Sequence, residues 1–152
     1  MRWTPTDTQL IPYQVALTMY GIKEVTGKED NPKIIQMFDD LGYDGKALKD
    51  ETSWCAAFVN WVLLVCGYIN TGKLNARSFL DLDSEVEEAS LGDIVIFWRE
   101  DPDSWKGHVG FYITERNGWI YCLGGNQSNQ VNVKAYPKSR LLGYRKPRRL
   151  SV

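Results

Sequence analysis

The chain has 152 residues, of which 43% are apolar and 24% are charged, and its formal net charge is −1. This length is typical of one domain with a self-sufficient core, and we interpret residues 1–152 as a single domain. A net charge near zero gives no support for nucleic-acid binding, so we expect no nucleic-acid partner. No stretch has the roughly 18 consecutive apolar residues that span a bilayer, and we expect no stable membrane insertion.

The N-terminal residues 1–7 (MRWTPTD) lack the apolar core of a secretory signal. We therefore expect synthesis in the cytoplasm without a signal peptide. Any action outside the cytoplasm would then require release or injection by another factor.

Three cysteines and one histidine limit the disulfide and metal chemistry of this chain. Cys55 and Cys66 fall on one predicted helix, about 16 Å apart at 1.5 Å per residue, which is beyond disulfide reach. Cys122 lies in a predicted strand, and its position implies no disulfide framework. Without a CxxC pair or a second histidine we predict no zinc site, and we expect no metal and no cofactor.

The first half of the chain carries the helix signals. Residues 12–20 are predicted to form a short helix that ends at Gly21. A second helix over residues 32–41 is predicted from the N-cap residue Asn31, from an apolar stripe and from the terminating Gly42.

The third predicted helix begins with a cysteine. Its apolar stripe follows the spacing i, i+3, i+4, i+7 and i+11 and consists of Cys55, Phe58, Val59, Val62 and Cys66. Thr52 or Ser53 is the expected N-cap, and Gly67 is the expected end. Cys55 would then lie beside the N–H groups of the first turn, which stabilise the reactive thiolate. On position alone, a small buried hydrophobe is the alternative interpretation.

The second half of the chain is rich in β-branched and aromatic residues. Strands are predicted over residues 93–98, 108–114, 119–123, 131–135 and 141–145. Asn117-Gly118 is a hairpin signal, residues 124–129 are predicted to be a loop, and the acidic residues 83–88 a solvated connector. Helices followed by an antiparallel meander predict an α+β layer arrangement.

His108 begins one of these strands, between Gly107 and Gly110. A lone histidine is usually a satisfied polar residue, but cysteine and histidine together can form a nucleophilic thiolate–imidazolium pair. Strand alternation puts Gly110 on the same face as His108, where a missing side chain would leave room for substrate. We predict that Cys55 is the nucleophile, that His108 is its base, and that the Cys55 N–H donates to an oxyanion.

A third residue usually orients the histidine of such a site. Asn126 and Gln127 follow the permissive pair Gly124-Gly125, just beyond a predicted strand. Either amide could accept a hydrogen bond from a ring N–H, and we favour Asn126, with Gln127 as the alternative. A plain turn with no catalytic role is the other interpretation of this segment.

Taken in order, these motifs resemble a known group of proteins. A helix-start cysteine, Gly92-Asp93 before a hydrophobic strand, the segment GHVG at residues 107–110 and the segment GGNQS at 124–128 resemble the NlpC/P60 and CHAP cysteine peptidases and amidases of bacterial cell walls. The likeness is strongest to the small CHAP-like peptidoglycan amidases of phages and prophages, and it covers most of the chain.

The resemblance implies a papain-like α+β fold in which N-terminal helices, including the cysteine helix, pack on a C-terminal antiparallel β-sheet. It also implies hydrolysis of an amide bond in peptidoglycan, in the stem peptide, at the glycan–peptide junction or in a cross-link. Cys55 matches the nucleophile of the family and His108 the base. Family members often carry Glu followed by Asn, or a second His, at the third position, whereas here only Asn126 fits by residue type.

Peptidoglycan is therefore the expected substrate, met in the cell wall or periplasm after release. A phage or prophage endolysin released through a holin pore fits the resemblance, and so does an interbacterial amidase toxin with an immunity protein. The fold is also compatible with a non-catalytic wall-binding or phage structural module and with an acyltransferase. Trp54, Trp98 and Trp105 are candidates to line a substrate groove, or else belong to the core.

Overall fold

A computed structural model of the protein describes residues 10–24, 31–45 and 54–150. The predicted helices are confirmed as α1 (Leu10–Thr18), α2 (Pro32–Asp40) and α3 (Cys55–Val65). Asn31 caps α2 as expected, because its side chain accepts a hydrogen bond from the backbone N–H of Lys33 at 2.9 Å. None of the helices in these three ranges has the length and apolar character that crossing a membrane requires.

The N-cap of the cysteine helix, α3, lies one residue after Ser53, the later of the two predicted caps. Its N-cap residue is Trp54, whose side chain makes no capping hydrogen bond, and Thr52 and Ser53 lie outside the described residues. Gly67 follows the helix with a φ of +76°, as predicted for a glycine that ends a helix. Eight of the eleven residues of α3 are buried, so the helix runs through the core rather than over its surface.

The described part of the chain contains one antiparallel sheet of six strands. The strands are β1 (Glu85–Val86), β2 (Ile94–Trp98), β3 (Gly107–Arg116), β4 (Trp119–Gln127), β5 (Gln130–Pro137) and β6 (Leu141–Arg145). Their order across the sheet is β1-β6-β2-β3-β4-β5. The predicted meander is therefore correct for β2 to β5 and wrong for β6, which returns to pair with β2. The C-terminal half of the chain also contains two 3-10 segments, Ala76–Asp81 and Lys138–Arg140.

Two sequence predictions about loops are wrong. The acidic connector contains β1, which pairs with β6 through a contact that is distant in sequence and therefore invisible to local patterns. The predicted loop 124–129 is strand as far as Gln127, and only Ser128 and Asn129 form the turn, both with positive φ. A β-bulge lies between Gly124 and Gln127, which explains why this stretch does not alternate like a regular strand.

The sheet has two faces of different character. The helix face is apolar and packs against α3; it is formed by Ile94, Ile96, Val109, Phe111 and Leu123. On this face Phe58 of α3 meets Phe111 edge-on, with ring centroids 6.4 Å apart. The histidine face is the opposite one; it is formed by Val95, Phe97, His108, Cys122 and Tyr136. Cross-strand pairing of Phe97 with His108 places both side chains on that face.

Candidate active site

Cys55 is the first residue of α3 and only 2% of its surface is exposed. Its own N–H and those of the next residues belong to the first turn, where helical N–H groups lack intrahelical partners. The helix approaches β4 closely at Gly125, where a Cβ would lie 2.8 Å from both the Cβ of Phe58 and the ring of Trp54. The absence of a side chain at Gly125 therefore allows α3 to pack closely against β4.

His108 lies at the start of β3, is almost fully buried and contacts Gln127. Its Nε2 is 2.9 Å from Oε1 of Gln127. The Gln127 amide is oriented by Asn132, because its Nε2 donates to the backbone oxygen of Asn132 at 2.7 Å and to Oδ1 at 3.0 Å. Its Oε1 must therefore face His108 and can only accept, so the histidine carries its proton on Nε2. The lone pair of the neutral ring is then on Nδ1, which can act as a base.

Two further donors converge on the same oxygen of Gln127. The Cys122 thiol donates to Oε1 at 3.2 Å, and the Tyr136 hydroxyl donates to it at 3.3 Å. The Tyr136 ring also lies between two other rings, stacked on Phe97 at 4.8 Å and on His108 at 4.9 Å. The stack on Tyr136 thus fixes the plane of the imidazole, and the contact with Gln127 fixes its tautomer.

The contact predicted for Asn126 is made instead by its neighbour Gln127, the second of the two candidate amides. In a regular strand, residues 122, 124 and 126 would share the histidine face, and Asn126 would meet His108. The bulge inserts one residue, since Gly124 pairs with Asn132 whereas Gln127 pairs with Gln130. Asn126 takes a left-handed φ of +57° at the bulge and lines a cavity beside His108. Alternation alone would bring Asn126 to His108, whereas the bulge brings Gln127 there.

The glycines near His108 accommodate protein side chains rather than substrate. A Cβ at Gly110 would lie 3.1 Å from Sγ of Cys122, so the predicted substrate space beside this glycine is filled by Cys122. At Gly124 a Cβ would lie 2.7 Å from Oε1 of Gln127 and 3.3 Å from Nε2 of His108. The absence of a side chain at Gly124 is therefore required for the His108–Gln127 contact.

None of the three cysteines forms a disulfide, and burial raises the pKa of two of their thiols, those of Cys122 and Cys66. Burial raises the pKa of Cys122 far above its usual range, and the negative charge that Cys55 can carry raises it further. Burial also raises the pKa of Tyr136, with added contributions from Cys122 and Cys55. Cys55 therefore lies close enough to influence the pKa of both Cys122 and Tyr136. Burial raises the pKa of Cys66 at the other end of α3, which makes that thiol a poor nucleophile.

Two neighbouring cavities open onto the site and share Arg99 as a lining residue. The first has a volume of about 200 Å³ and is lined by Cys55, Leu74, Asn75, Ala76, Arg99, Glu100, Trp105, Lys106 and Gly107. The second has a volume of about 320 Å³ and is lined by Phe97, Trp98, Arg99, His108, Asn126, Asn129, Lys134, Tyr136 and Arg140. Cys55 lines the first cavity and His108 the second, and Arg99 lines both.

The three tryptophans proposed for a groove have different positions. Trp54 is fully buried in the core, and its Nε1 donates to the Glu24 carboxylate at 2.8 Å. Trp98 and Trp105 line the second and the first cavity, and Trp105 is 73% exposed. Among residues 10–24, 31–45 and 54–150, no three side chains of metal-binding type come together.

No family model matches the chain, and no curated protein matches its sequence. A lipoprotein-like protein of the NLP/P60 family from Staphylococcus aureus matches in structure with a TM-score of 0.55 and 20% identity, over 96% of this chain and 43% of that one. NlpC1 from Trichomonas vaginalis matches with a TM-score of 0.52 and 18% identity, over 98% of this chain and 46% of that one.

These matches show that the chain has the α+β fold of NlpC/P60 proteins. The expected packing of a cysteine helix on an antiparallel sheet is confirmed. The chain spans less than half the length of either solved structure.

Proposed function

We propose that the protein is a cysteine amidase or peptidase that cleaves an amide bond in bacterial peptidoglycan. The observation that carries the proposal is the buried His108–Gln127 contact of 2.9 Å. Cys55, at the start of α3, is near enough for its charge to raise the pKa of Tyr136, the ring stacked on His108. The fold shared with an NLP/P60 protein and with NlpC1 supports the same reaction class. Cys55 is the nucleophile, His108 the base and acid, and Gln127 the residue that orients His108.

The reaction begins when Nδ1 of His108 takes the proton of the Cys55 thiol. The thiolate attacks the carbonyl carbon of the amide, and the N–H groups of the first turn of α3 stabilise the negative oxygen. The C–N bond then breaks as His108 gives its proton to the leaving nitrogen, and a thioester remains on Cys55. Water, deprotonated by His108, attacks the thioester, which releases a carboxylate and restores the thiol.

Digestion of purified peptidoglycan, followed by mass spectrometry, tests this reaction. We expect new free amino groups without new reducing ends, and fragment masses that identify the bond. Cys55→Ala should abolish the cleavage, whereas Cys66→Ala is the matched control because Cys66 lies at the far end of the same helix, away from the site. Equal activity of the wild type and Cys55→Ala would falsify the mechanism.

Thiol labelling distinguishes an enzyme from a non-catalytic wall-binding module. An activated Cys55 should react with iodoacetamide at about pH 6 faster than a free thiol and faster than Cys66. No enhanced reactivity would favour the non-catalytic module. An added amine acceptor separates hydrolysis from acyl transfer, because only the acyltransferase converts the thioester into a new amide.

We infer cell-wall lysis as the biological setting, with the phage or prophage endolysin suggested by the sequence resemblance as the first candidate. Lysis of a producing host that depends on a co-expressed holin pore would support the endolysin. Killing of neighbouring cells that is prevented by an immunity protein would support the delivered toxin instead.

A further inference from the structure

The cavity beside His108 is strongly cationic. Its lining includes Arg99, Lys134 and Arg140, and none of the described residues that line it is acidic. The three cations come from separate elements: Arg99 follows β2, Lys134 lies on β5, and Arg140 ends the 3-10 segment before β6. Convergence of three exposed cations on one polar cavity marks a site that can bind an anion.

Two of the three cations at this cavity, Lys134 and Arg140, lie over aromatic rings. The guanidinium of Arg140 lies 5.2 Å from the Trp98 ring, and the ammonium of Lys134 lies 5.7 Å from the Tyr136 ring. Ring faces position a cation without cancelling its charge. The ion pairs within the described residues involve Lys106 and Lys138, not the three cavity cations. Their positive charge is therefore available to a ligand.

The position of His108 determines which part of a substrate enters this cavity. In the proposed reaction His108 gives its proton to the leaving nitrogen, so the leaving fragment must lie on the histidine side of the cleaved bond. The cavity that His108 lines is on that side. Guanidinium groups bind planar carboxylates through two parallel hydrogen bonds, and free peptide fragments end in a carboxylate.

We propose that Arg99, Lys134 and Arg140 form a subsite for a carboxylate carried by the leaving fragment. The proposal rests on the proposed amidase function. It assigns the substrate as an amide whose amine-side fragment is anionic, and it makes the subsite a determinant of specificity rather than of bond cleavage.

Kinetics with a matched pair of peptides tests the subsite. The peptides would reproduce the bond identified in the peptidoglycan digest and would end, on the leaving side, in either a carboxylate or a carboxamide. We expect amidation to lower kcat/KM of the wild type about tenfold or more, mainly through KM. The Arg99→Gln/Arg140→Gln variant should lose a similar factor on the free acid and become insensitive to amidation.

Arg116→Gln is the control, because Arg116 is an exposed arginine on β3 that does not line the cavity. It should keep the wild-type preference for the free acid. If the wild type cleaves both peptides equally, or if the double variant keeps the preference, the subsite proposal is overturned while the amidase function stands.

Binding of simple anions tests the site even if the protein cleaves no peptide. The indole N–H signal of Trp98 would be followed by NMR in the wild type during titration with acetate and with inorganic phosphate. Saturable shifts with acetate that weaken in Arg99→Gln/Arg140→Gln support a carboxylate subsite independently of hydrolysis. No saturable shift with either anion overturns the site. Tighter binding of phosphate than of acetate, together with equal cleavage of the two peptides, overturns the assignment to a carboxylate.

Discussion

The helix face and the histidine face of the same sheet are stabilised by different interactions. On the helix face, apolar side chains such as Phe111 pack against α3 with non-directional contacts. On the histidine face, three donors point at one oxygen of Gln127, and the Tyr136 ring, itself stacked on Phe97, fixes the plane of His108. Burial on the first face positions Cys55, and directional hydrogen bonds on the second position His108. Changes on the two faces should therefore affect different measurements.

Removing Phe58 should have the largest effect on stability. This ring is fully buried on the helix face, contacts Phe111 and lies against Gly125. Phe58→Ala leaves a cavity and should lower the free energy of unfolding by about 3–5 kcal/mol. Val65→Ala on the same helix is the control; Val65 is 50% exposed, and a change of at most about 0.5 kcal/mol is expected. Urea denaturation measures both, and a loss below about 1 kcal/mol for Phe58→Ala would contradict the assignment of α3 to the core.

Removing the Gln127 amide should lower both activity and stability. Gln127→Met keeps the length of the side chain but no longer fixes the proton of His108 on Nε2, so kcat should fall about 10²-fold, at the lower end of general acid–base contributions. The Nε2–H of His108 and the carbonyl of Asn132 also lose a partner, which costs about 1–3 kcal/mol. Steady-state kinetics and urea denaturation of the same variant measure the two effects separately.

Asn126→Gly is the matched control for Gln127→Met. It removes the neighbouring amide while allowing the φ of +57°, and it should change kcat less than about threefold. If Asn126→Gly lowers kcat as much as Gln127→Met, then Asn126 is the orienting residue after all.

Local patterns in the sequence predict the helix face well. The Asn31 cap of α2, the Gly67 end of α3 and the Asn117-Gly118 turn are short-range features, and the turn is confirmed by positive φ at both residues. Alternation also separates Val109 and Phe111 from His108 correctly. These features depend on neighbours within a few residues, which is the range over which patterns in a sequence are informative.

The contacts of the histidine face depend on features that local patterns do not encode. The bulge before Gln127 reverses which amide meets His108. The stack on Tyr136 requires β5 to pair with β4 in one register, in which Tyr136 lies opposite Ile120. Asn132, which orients Gln127, is likewise brought in by that pairing. The sequence therefore narrows the residue that contacts His108 to one short segment, residues 124–129. Which side chain of this segment meets His108, and which side chains orient it, depends on the pairing register of β3, β4 and β5.

Asp93 provides a smaller test of how burial and directional hydrogen bonds compare. It is a buried carboxyl directly before β2. One of its oxygens accepts from the backbone N–H of Ser90 at 2.7 Å, and Oδ1 has no hydrogen-bond partner in the described structure. Burial raises the pKa of Asp93, and the Ser90 N–H and the charge of Lys146 offset this only in part.

The raised pKa of Asp93 fixes the sign of its effect on stability. The folded state binds the proton more tightly than the unfolded chain, so the Asp93 contribution is most favourable at low pH. It is lost as the pH rises from the ordinary carboxyl value of about 4 through the raised pKa of the folded state. The free energy of unfolding of Asp93→Asn relative to wild type should therefore increase over this range and then level off. Urea denaturation at a series of pH values measures the difference; a difference that is constant with pH would show that Asp93 titrates alike in both states.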